Sequence, residues 1–190
     1  MASGDAPRGG SRRKQTRRQG SNGVLAVLCA VGAMPLLGAG TPLEPKLLGS
    51  FEKWGAYAVQ APKGKHCFVY GEPSDQKGNY KSRGKVSVTV SHRPGEKVRN
   101  EFSFSAGYAF KPDSQLEVVI DQSKKFMLFV DGGSAWAPDA ETDQELRKAL
   151  VSGKKMVVMG SSSRGTKTVD TYSLSGTRAA LERIDQECKS

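Results

Sequence analysis

The stretch from Gly160 to Thr168 carries the residue types of a phosphate-binding loop. Gly160, four intervening residues, Gly165 and then Lys167 with Thr168 nearly reproduce G-x-x-x-x-G-K-[ST], in which backbone amides and the lysine hold nucleotide phosphates. In that loop the lysine follows the second glycine directly, and a helix begins there so that its N-terminal amides meet the phosphates. Here Thr166 intervenes, and the residues that follow alternate in polarity and are rich in β-branched side chains, as in a strand. The stretch therefore predicts a hairpin turn between antiparallel strands and no nucleotide site.

Serine hydrolysis is a second chemistry that the same stretch suggests, because Ser161 to Ser163 lie in the predicted turn. A catalytic triad needs a histidine base and an acid within reach of the serine. The sequence offers His92 as the base, with Asp170 and Tyr172 near the serines. The chain has only two histidines and no G-x-S-x-G nucleophile elbow. We therefore assign no catalytic residue, and an envelope hydrolase built from these side chains is kept as an alternative.

The net charge of +10 favours an anionic partner, and this charge is unevenly distributed. Residues 1–40 carry six basic residues against one acid, so half of the excess lies there. Nucleic acid is not expected as a partner, because the aromatic residues fall at strand spacing and do not form a base-stacking surface interleaved with arginine. Arg164 and Lys167, beside the predicted turn, are the residues that we expect to contact an anion or a partner.

Residues 1–40 have the order of a secretory signal. An arginine-rich stretch leads into the apolar run from Val24 to Leu37, and small residues follow at Gly38 to Gly40. The run covers 14 residues, whereas a membrane-spanning helix needs about 20. We therefore predict export and cleavage near Ala39 or Gly40. The alternative is an uncleaved segment that anchors the protein to the inner membrane, and only in that case is a membrane association expected.

The cysteines agree with export. Cys29 lies within the predicted signal, and its removal leaves Cys67 and Cys188. In an oxidising compartment such a pair is most simply a disulfide, which would join the two ends of the domain. Two separate buried thiols are the alternative.

No metal or other cofactor is predicted. Two histidines and a pair of bridged cysteines leave too few ligands for zinc. Asp139, Glu141 and Asp143 resemble the first acidic positions of a calcium loop, but Gln144 stands where glycine is needed and Leu150 where the terminal glutamate is needed. These acids are better explained by the start of a helix, whose dipole favours negative charge.

Strand patterns dominate the chain after a proline-bearing linker at residues 41–50. They predict a single domain at residues 51–190 with a mainly β, antiparallel, β-sandwich-like fold. The apolar runs from Leu116 to Ile120 and from Phe126 to Val130 predict a hairpin whose strands are covered on both faces. Residues 75–85 are polar and glycine-bearing, which predicts a basic loop or an exposed hairpin tip.

Two short helices complete the prediction. The first covers about residues 142–152, with Thr142 and Glu145 as a capping box and Gly153 at its end. The second covers about residues 177–188. Its apolar positions recur at helical spacing and include Cys188, which places this cysteine on the buried face.

Several short stretches carry a family resemblance. In order they are WGAYA at 54–58, HCFVY at 66–70, VTVSHRP at 88–94, GYAF at 107–110 and RGTKTVDTYSLSG at 164–176. In these stretches the chain resembles the invasion-associated locus B family of exported alphaproteobacterial proteins, over residues 51–188. The resemblance implies a mostly β protein of the periplasm or outer surface of a Gram-negative bacterium, whose founding relatives are linked to entry into host cells. It supplies no catalytic motif that can be carried over residue by residue.

The sequence thus favours a non-enzymatic, exported envelope protein that acts by binding an envelope component or another protein. Two alternatives are left open. One is the envelope hydrolase described above. The other is an accessory subunit of a membrane complex, anchored through the apolar segment and facing the periplasm.

Overall fold

Period-two alternation of apolar and polar side chains places most of the chain in β-strands. The structure is a computed structural model, and it describes residues 44–189. In chain order the strands are β1 (Lys46–Phe51), β2 (Trp54–Ala61), β3 (Gly64–Gly71), β4 (Asp75–Gly78), β5 (Ser87–Arg93), β6 (Val98–Ser105), β7 (Gln115–Ile120), β8 (Lys124–Asp131), β9 (Ser134–Trp136), β10 (Lys155–Ser161) and β11 (Lys167–Ser173). The helices are α1 (Ala140–Ser152) and α2 (Thr177–Glu187), and a 3₁₀ turn covers Pro94–Glu96.

The strands form one antiparallel sheet in the order β1-β2-β3-β5-β6-β9-β8-β7-β10-β11-β4. The sheet folds over on itself, because residues near its opposite edges meet. Trp54 of β2 donates its indole N–H to the carbonyl oxygen of Ser173 in β11 at 2.9 Å. The Trp54 ring also lies 6.3 Å from that of Tyr172, centroid to centroid. The predicted mainly β, antiparallel fold with two short helices is confirmed, and its two layers belong to one continuous sheet.

One hydrophobic core fills the space inside the folded sheet. Alternate residues of β5 and β6, among them Val88, Val90, Phe102 and Phe104, are fully buried there. Helix α1 packs against β6, and α2 packs against β1, β2 and β3. Residues 44–189 thus form a compact unit with its own core.

The N-terminal part of the chain departs from the prediction in one place. Residues 41–50 were expected to be a linker, but strand β1 begins at Lys46 and pairs with β2. Leu48 and Phe51 are partly buried and pack against the core. This burial holds the strand in place, and the proline-bearing composition of the segment does not predict it. The predicted signal at residues 1–40 lies outside the described residues. No helix among residues 44–189 is long and apolar enough to cross a membrane.

Residues 75–85, predicted to be a loop, begin with a strand. Strand β4 pairs with β11 and forms one edge of the sheet. All four of its residues are exposed, so no apolar alternation marks it in the sequence. The prediction of a loop is wrong for residues 75–78, and residues 79–85 are irregular as expected.

The predicted hairpin of β7 and β8 is present, but its expected coverage on both faces is wrong for β8. Leu128 is fully buried, whereas Met127 and Phe129 on the other face are exposed. The continuous apolar run in β8 therefore reflects a core-facing side and a surface-facing side that are both apolar.

Helix α1 begins earlier than predicted, because a different residue caps it. Asp139 is the N-cap, and its carboxylate accepts a hydrogen bond from the backbone N–H of Thr142 at 2.7 Å. The predicted cap at Thr142 is therefore wrong, since this residue lies inside the first turn. The predicted end at Gly153 is confirmed. Helix α2 matches its prediction to within one residue and ends before Cys188.

The earlier start of α1 turns Asp143 towards the core. Its carboxylate accepts the backbone N–H of Phe102 at 2.8 Å, and only 9% of the residue is exposed. Burial raises the pKa of Asp143 from 3.8 to about 6, against the opposing effect of that hydrogen bond. An acid whose pKa is higher in the folded chain than in the unfolded chain favours the fold when protonated. The domain therefore loses stability from this group as pH rises from about 4 to 6.

Asp143→Asn should stabilise the domain at pH 8 and leave it nearly unchanged at pH 4. An amide oxygen still accepts the Phe102 N–H, while the cost of a buried charge disappears, which is worth about 1 to 3 kcal/mol. Denaturant unfolding of variant and parent at both pH values measures the difference. Glu141→Gln, an exposed acid of the same turn, is the control and should show little change. An equal gain for Asp143→Asn at pH 4 and pH 8 would contradict the assigned protonation.

The predicted disulfide is present. Cys67 of β3 and Cys188, at the C-terminal end of α2, are bonded with a Cα–Cα distance of 6.0 Å. Both cysteines are buried. The bond ties the last helix to a strand that lies 121 residues earlier in the chain.

Candidate functional site: a basic cleft beside the last hairpin

The stretch that resembles a phosphate-binding loop is a hairpin, as predicted. Strands β10 and β11 pair from Lys155 opposite Ser173 to Ser161 opposite Lys167. In the turn, Ser162 donates its N–H to the Thr166 carbonyl oxygen at 2.9 Å. Gly165 adopts a φ of +82°, which glycine reaches without strain. A strand follows the turn and no helix does, so the amide array that a phosphate-binding loop needs is not formed.

This turn forms one wall of a cleft of about 580 Å³. A second wall is the irregular segment after β4, and the third is the short segment after β6. The cleft is lined by Asn79, Tyr80, Lys81, Ser82, Arg83, Tyr108, Ala109, Ser162, Ser163, Arg164, Thr166 and Thr168. Three segments that are far apart in the chain are thus brought together.

At the floor of the cleft, the lining residue Arg83 forms an ion pair with Asp170, which lies beneath the lining. The guanidinium donates from Nη1 and Nη2 to the two carboxylate oxygens at 2.7 and 2.8 Å. The side chains are only 3% and 1% exposed, respectively. Arg83 Nε also donates to the carbonyl oxygen of Ala106 at 2.6 Å. Burial would lower the pKa of Arg83, but the hydrogen bonds and charge of Asp170 outweigh it and raise this pKa. The floor is therefore charged but internally neutral.

Two tyrosines flank the Arg83 guanidinium. Its carbon lies 4.8 Å from the Tyr108 ring centroid and 5.6 Å from that of Tyr80, which suits cation–π contact. The Tyr108 hydroxyl lies 2.6 Å from the hydroxyl of buried Thr168. Burial is the largest influence on the pKa of Tyr108 and raises it, so the phenol stays neutral at physiological pH. The cleft is thereby given an aromatic, uncharged inner surface.

A close backbone approach fixes the loop that carries Lys81 and Arg83. Gly84 donates its N–H to the carbonyl oxygen of Gly107 at 2.9 Å. Gly107 has a φ of +70°, and a Cβ there would lie 2.4 Å from the Gly84 carbonyl oxygen. Only glycine fits at position 107, which explains why a glycine precedes Tyr108 at this point of the chain.

The mouth of the cleft carries a net positive charge, whereas the ion pair at the floor is neutral overall. Lys81 and Arg164 are exposed, and neither makes an ion pair with another residue of the described chain, 44–189. Lys85 differs, because it pairs with Glu72 at 3.1 Å and lies over the Tyr70 ring. The mouth therefore presents two uncompensated cations beside the hydroxyl groups of the turn.

Of the two cations expected from the sequence, only Arg164 lines the cleft. Lys167 begins β11, where side chains alternate between Thr168, Asp170 and Tyr172 inside and Lys167 outside. Lys81 takes its place at the mouth. From the sequence, Lys81 was expected only within a solvated basic loop, and the adjacent Tyr80 is the signal that could have distinguished it.

The candidate hydrolase residues do not form a triad. His92 is fully buried on β5, where its Nε2 lies 2.9 Å from Asp185 Oδ1 and its Nδ1 accepts the Asn100 N–H at 3.1 Å. Nε2 must then carry the proton, and burial lowers the pKa of His92. Asp170 is bound to Arg83. Among residues 44–189, no hydrogen bond joins His92 to Asp170 or to a serine of the turn.

Tyr172 lies in the core and not in the cleft. It is fully buried, its ring faces Trp54, and burial raises its pKa. Within the described chain its hydroxyl has no hydrogen-bond partner. The side chain is placed to fill the space between the two layers of the sheet.

Asp185, which the sequence analysis did not single out, is the centre of a separate polar cluster. Its carboxylate contacts His92 of β5, Arg99 of β6 at 2.8 Å and Arg147 of α1. It thereby links α2 to the sheet and to α1. No group of three His, Cys, Asp or Glu side chains within residues 44–189 has the arrangement of a metal site.

Comparison with protein-family models identifies the family. The model of the invasion associated locus B (IalB) protein matches residues 54–185. The chain belongs to the IalB family. No curated protein and no solved structure matches it. The part matched by the IalB model contains every residue that lines the cleft and includes Cys67, but it ends before Cys188.

Proposed function

We propose that this IalB protein is an exported envelope protein that binds an anionic ligand in the basic cleft. The single observation that carries the proposal is the contrast between floor and mouth. Arg83 is neutralised by Asp170 and held by three further polar or aromatic neighbours, whereas Lys81 and Arg164 are free to pair with a ligand. A cation with no internal partner, beside a preformed concave surface, is available for recognition.

The lining of the cleft supports a polar ligand that bears carboxylate or phosphate. Hydroxyl and amide groups of Asn79, Ser163 and Thr166 can hydrogen-bond neutral polar groups. The rings of Tyr80 and Tyr108 offer flat apolar surface next to them. An acidic carbohydrate or a phosphorylated headgroup combines these features, and both occur in a bacterial envelope.

The location in the envelope is part of the proposal. The Cys67–Cys188 disulfide supports an oxidising compartment, and membership of the IalB family favours export. The chain then acts in the periplasm or at the outer surface after loss of its N-terminal segment. N-terminal sequencing of the protein recovered from cells tests this step, because a start near Thr41 is expected.

Arg164→Ala and Lys81→Ala should each weaken anion binding about tenfold, which corresponds to about 1.4 kcal/mol. The probes are an oligogalacturonate, which presents carboxylates on sugar, and a short polyphosphate. Titration calorimetry on residues 41–190 gives the affinity, and the preferred probe distinguishes carboxylate from phosphate. The slope of affinity against salt should also fall in both variants, because each loses one ion contact.

Lys167→Ala is the matched control, since it removes the same charge from the same hairpin but outside the cleft. Its affinity should stay within about twofold of the parent. If Lys167→Ala weakens binding as much as Arg164→Ala does, attraction to the overall positive charge explains the data and the cleft is not the site. No binding of either probe by the parent would reject the proposed function.

A further inference from the structure

The outer face of the sheet carries large apolar side chains that are exposed to solvent and lie next to one another. Phe129 and Met127 of β8 are 47% and 44% exposed. Trp136 of β9 stacks on Phe129, with ring centroids 5.8 Å apart. Large exposed apolar groups that occur singly need no explanation, but adjacent ones mark an interaction surface.

The strand register extends this surface over five neighbouring strands. Phe129 lies opposite Trp136. In the next row, Met127 and Met159 flank Glu117, and Val169 follows Met159. In the row beyond, Val119 and Val157 are paired. Val119 itself is buried, and we call the other apolar residues of these rows the outer apolar face: Met127, Phe129, Trp136, Val157, Met159 and Val169.

Opposite charges stand at the two ends of the outer apolar face. Asp131 ends β8 beyond Phe129, and Lys155 begins β10 beyond Val157. Both are exposed, and neither makes an ion pair within residues 44–189. The pairings place Lys155 in the row of residues 121 and 123, eight positions along β8 from Asp131. At about 3.3 Å per residue, the two charges lie roughly 26 Å apart along the strands.

The polar side chains within these rows include Gln115 opposite Phe129, Thr171 opposite Val157, and the ion-paired Glu117 and Lys125. Glu117 lies between Met127 and Met159 and pairs with Lys125 at 3.2 Å. It therefore adds no uncompensated charge to the centre. An anionic lipid surface would meet the unpaired carboxylate of Asp131 directly, which disfavours a membrane as the occupant.

We propose that the outer apolar face binds a second copy of this chain, sheet against sheet, around a twofold axis. A 180° rotation about an axis that lies in the interface near the Met127 row sets Asp131 of each copy against Lys155 of the other. Lys155 lies two strands away from the strand of Asp131, as well as roughly 26 Å from it along the strands. Matching the two charges therefore makes the strands of the two copies cross obliquely, as they do in face-to-face packed sheets. A twofold interface uses the same surface on both chains, and this face is complementary to itself in shape and charge.

The size of the face predicts a weak dimer. Five strands about 4.8 Å apart and a height of roughly 26 Å give a footprint of about 600 Å² on each copy. About 1,200 Å² in total is at the low end of specific interfaces. Dissociation constants in the micromolar range are therefore expected.

Sedimentation equilibrium of residues 41–190, from about 1 to 300 µM, tests the proposal. The parent should change from monomer to dimer across this range. Phe129→Ser should weaken the dimer at least tenfold. Leu47→Ser, which removes an apolar group with 51% exposure from the distant strand β1, is the matched control and should have no effect. Thermal unfolding of each variant shows that the fold is kept.

Charge reversal tests the orientation. Asp131→Lys and Lys155→Asp should each weaken the dimer, and the two together should restore it, because the exchanged charges again oppose each other. A parent that stays monomeric at 300 µM overturns the proposal, as does a dimer that Phe129→Ser does not weaken. A dimer that the double reversal fails to restore overturns the stated arrangement. Recovery of the parent with lipid vesicles but not as a dimer would point to a membrane and reject a second copy.

Discussion

Removing the disulfide lowers the free energy of unfolding of the domain by about 4 to 5 kcal/mol. Cys67 and Cys188 are 121 residues apart, so the bond closes nearly the whole domain into one loop. A closed loop restricts the unfolded chain far more than the folded one, and in the chain-entropy model the effect grows with loop length. This loss is a large part of the stability of an ordinary domain.

Denaturant unfolding of residues 41–190 with and without reductant measures this effect. The Cys67→Ser, Cys188→Ser double variant should match the reduced parent and should not respond to reductant. Helix α2 should remain docked in this variant under native conditions, because Leu181, Ile184 and the Asp185 cluster still hold it. Two titratable thiols in the untreated parent, or an unfolding midpoint that reductant does not change, would show that the bond is not formed or does not stabilise.

Breaking the buried ion pair of the cleft floor should cost about 3 to 5 kcal/mol. Arg83→Met leaves the Asp170 carboxylate in a site with almost no solvent, and Asp170→Leu leaves the guanidinium there. Either change strands a charge whose desolvation is no longer offset. Replacing both residues at once removes both charges, so the double variant should lose much less than the sum of the two single changes.

Denaturant unfolding of the parent, the two single variants and the double variant completes a double-mutant cycle. Lys63→Met is the control, because Lys63 pairs with Glu96 at 3.8 Å on the surface. It should cost less than about 1 kcal/mol. Losses that simply add in the double variant would show that Arg83 and Asp170 act independently, which contradicts a shared buried pair.

Most of the sheet could be predicted because its strands have one buried and one wet face. The valines of β5 and the phenylalanines of β6 alternate with polar residues, and burial of the apolar set fixes their direction. Strand β4 could not be predicted, because all four of its residues are exposed and only pairing with β11 holds it. The local sequence pattern predicts a strand that has one buried face. It does not predict an exposed strand that is held only by pairing with a distant strand.

The start of α1 shows how two equally good local signals are resolved. Asp139 and Thr142 are both favourable N-cap residues, and each is followed by an acid. Starting at Asp139 brings the Asp143 carboxylate to the Phe102 N–H, a contact between residues 41 positions apart. This contact is invisible in a local sequence window, so the choice of cap could not be made from the sequence.

The cleft was predicted only in part for the same reason. The hairpin turn and Arg164 follow from local composition, whereas Arg83 and Asp170 are 87 residues apart. The basic loop at residues 79–85 looks in the sequence like an ordinary solvated loop, and only the buried pair of Arg83 with Asp170 distinguishes it. Lys81 is therefore positioned by the ion pair that Arg83, two residues later, makes with Asp170. No local spacing in the sequence predicts this contact.

The pairing of β4 with β11 delays completion of the sheet until the C-terminal part of the chain is present. Residues 75–78 precede their partners at 168–171 by about 90 residues. Until the two segments meet, β4 is an unpaired strand and Arg83 lacks its counter-ion Asp170. The sheet is therefore complete only after the final hairpin, which contains β11, has been made.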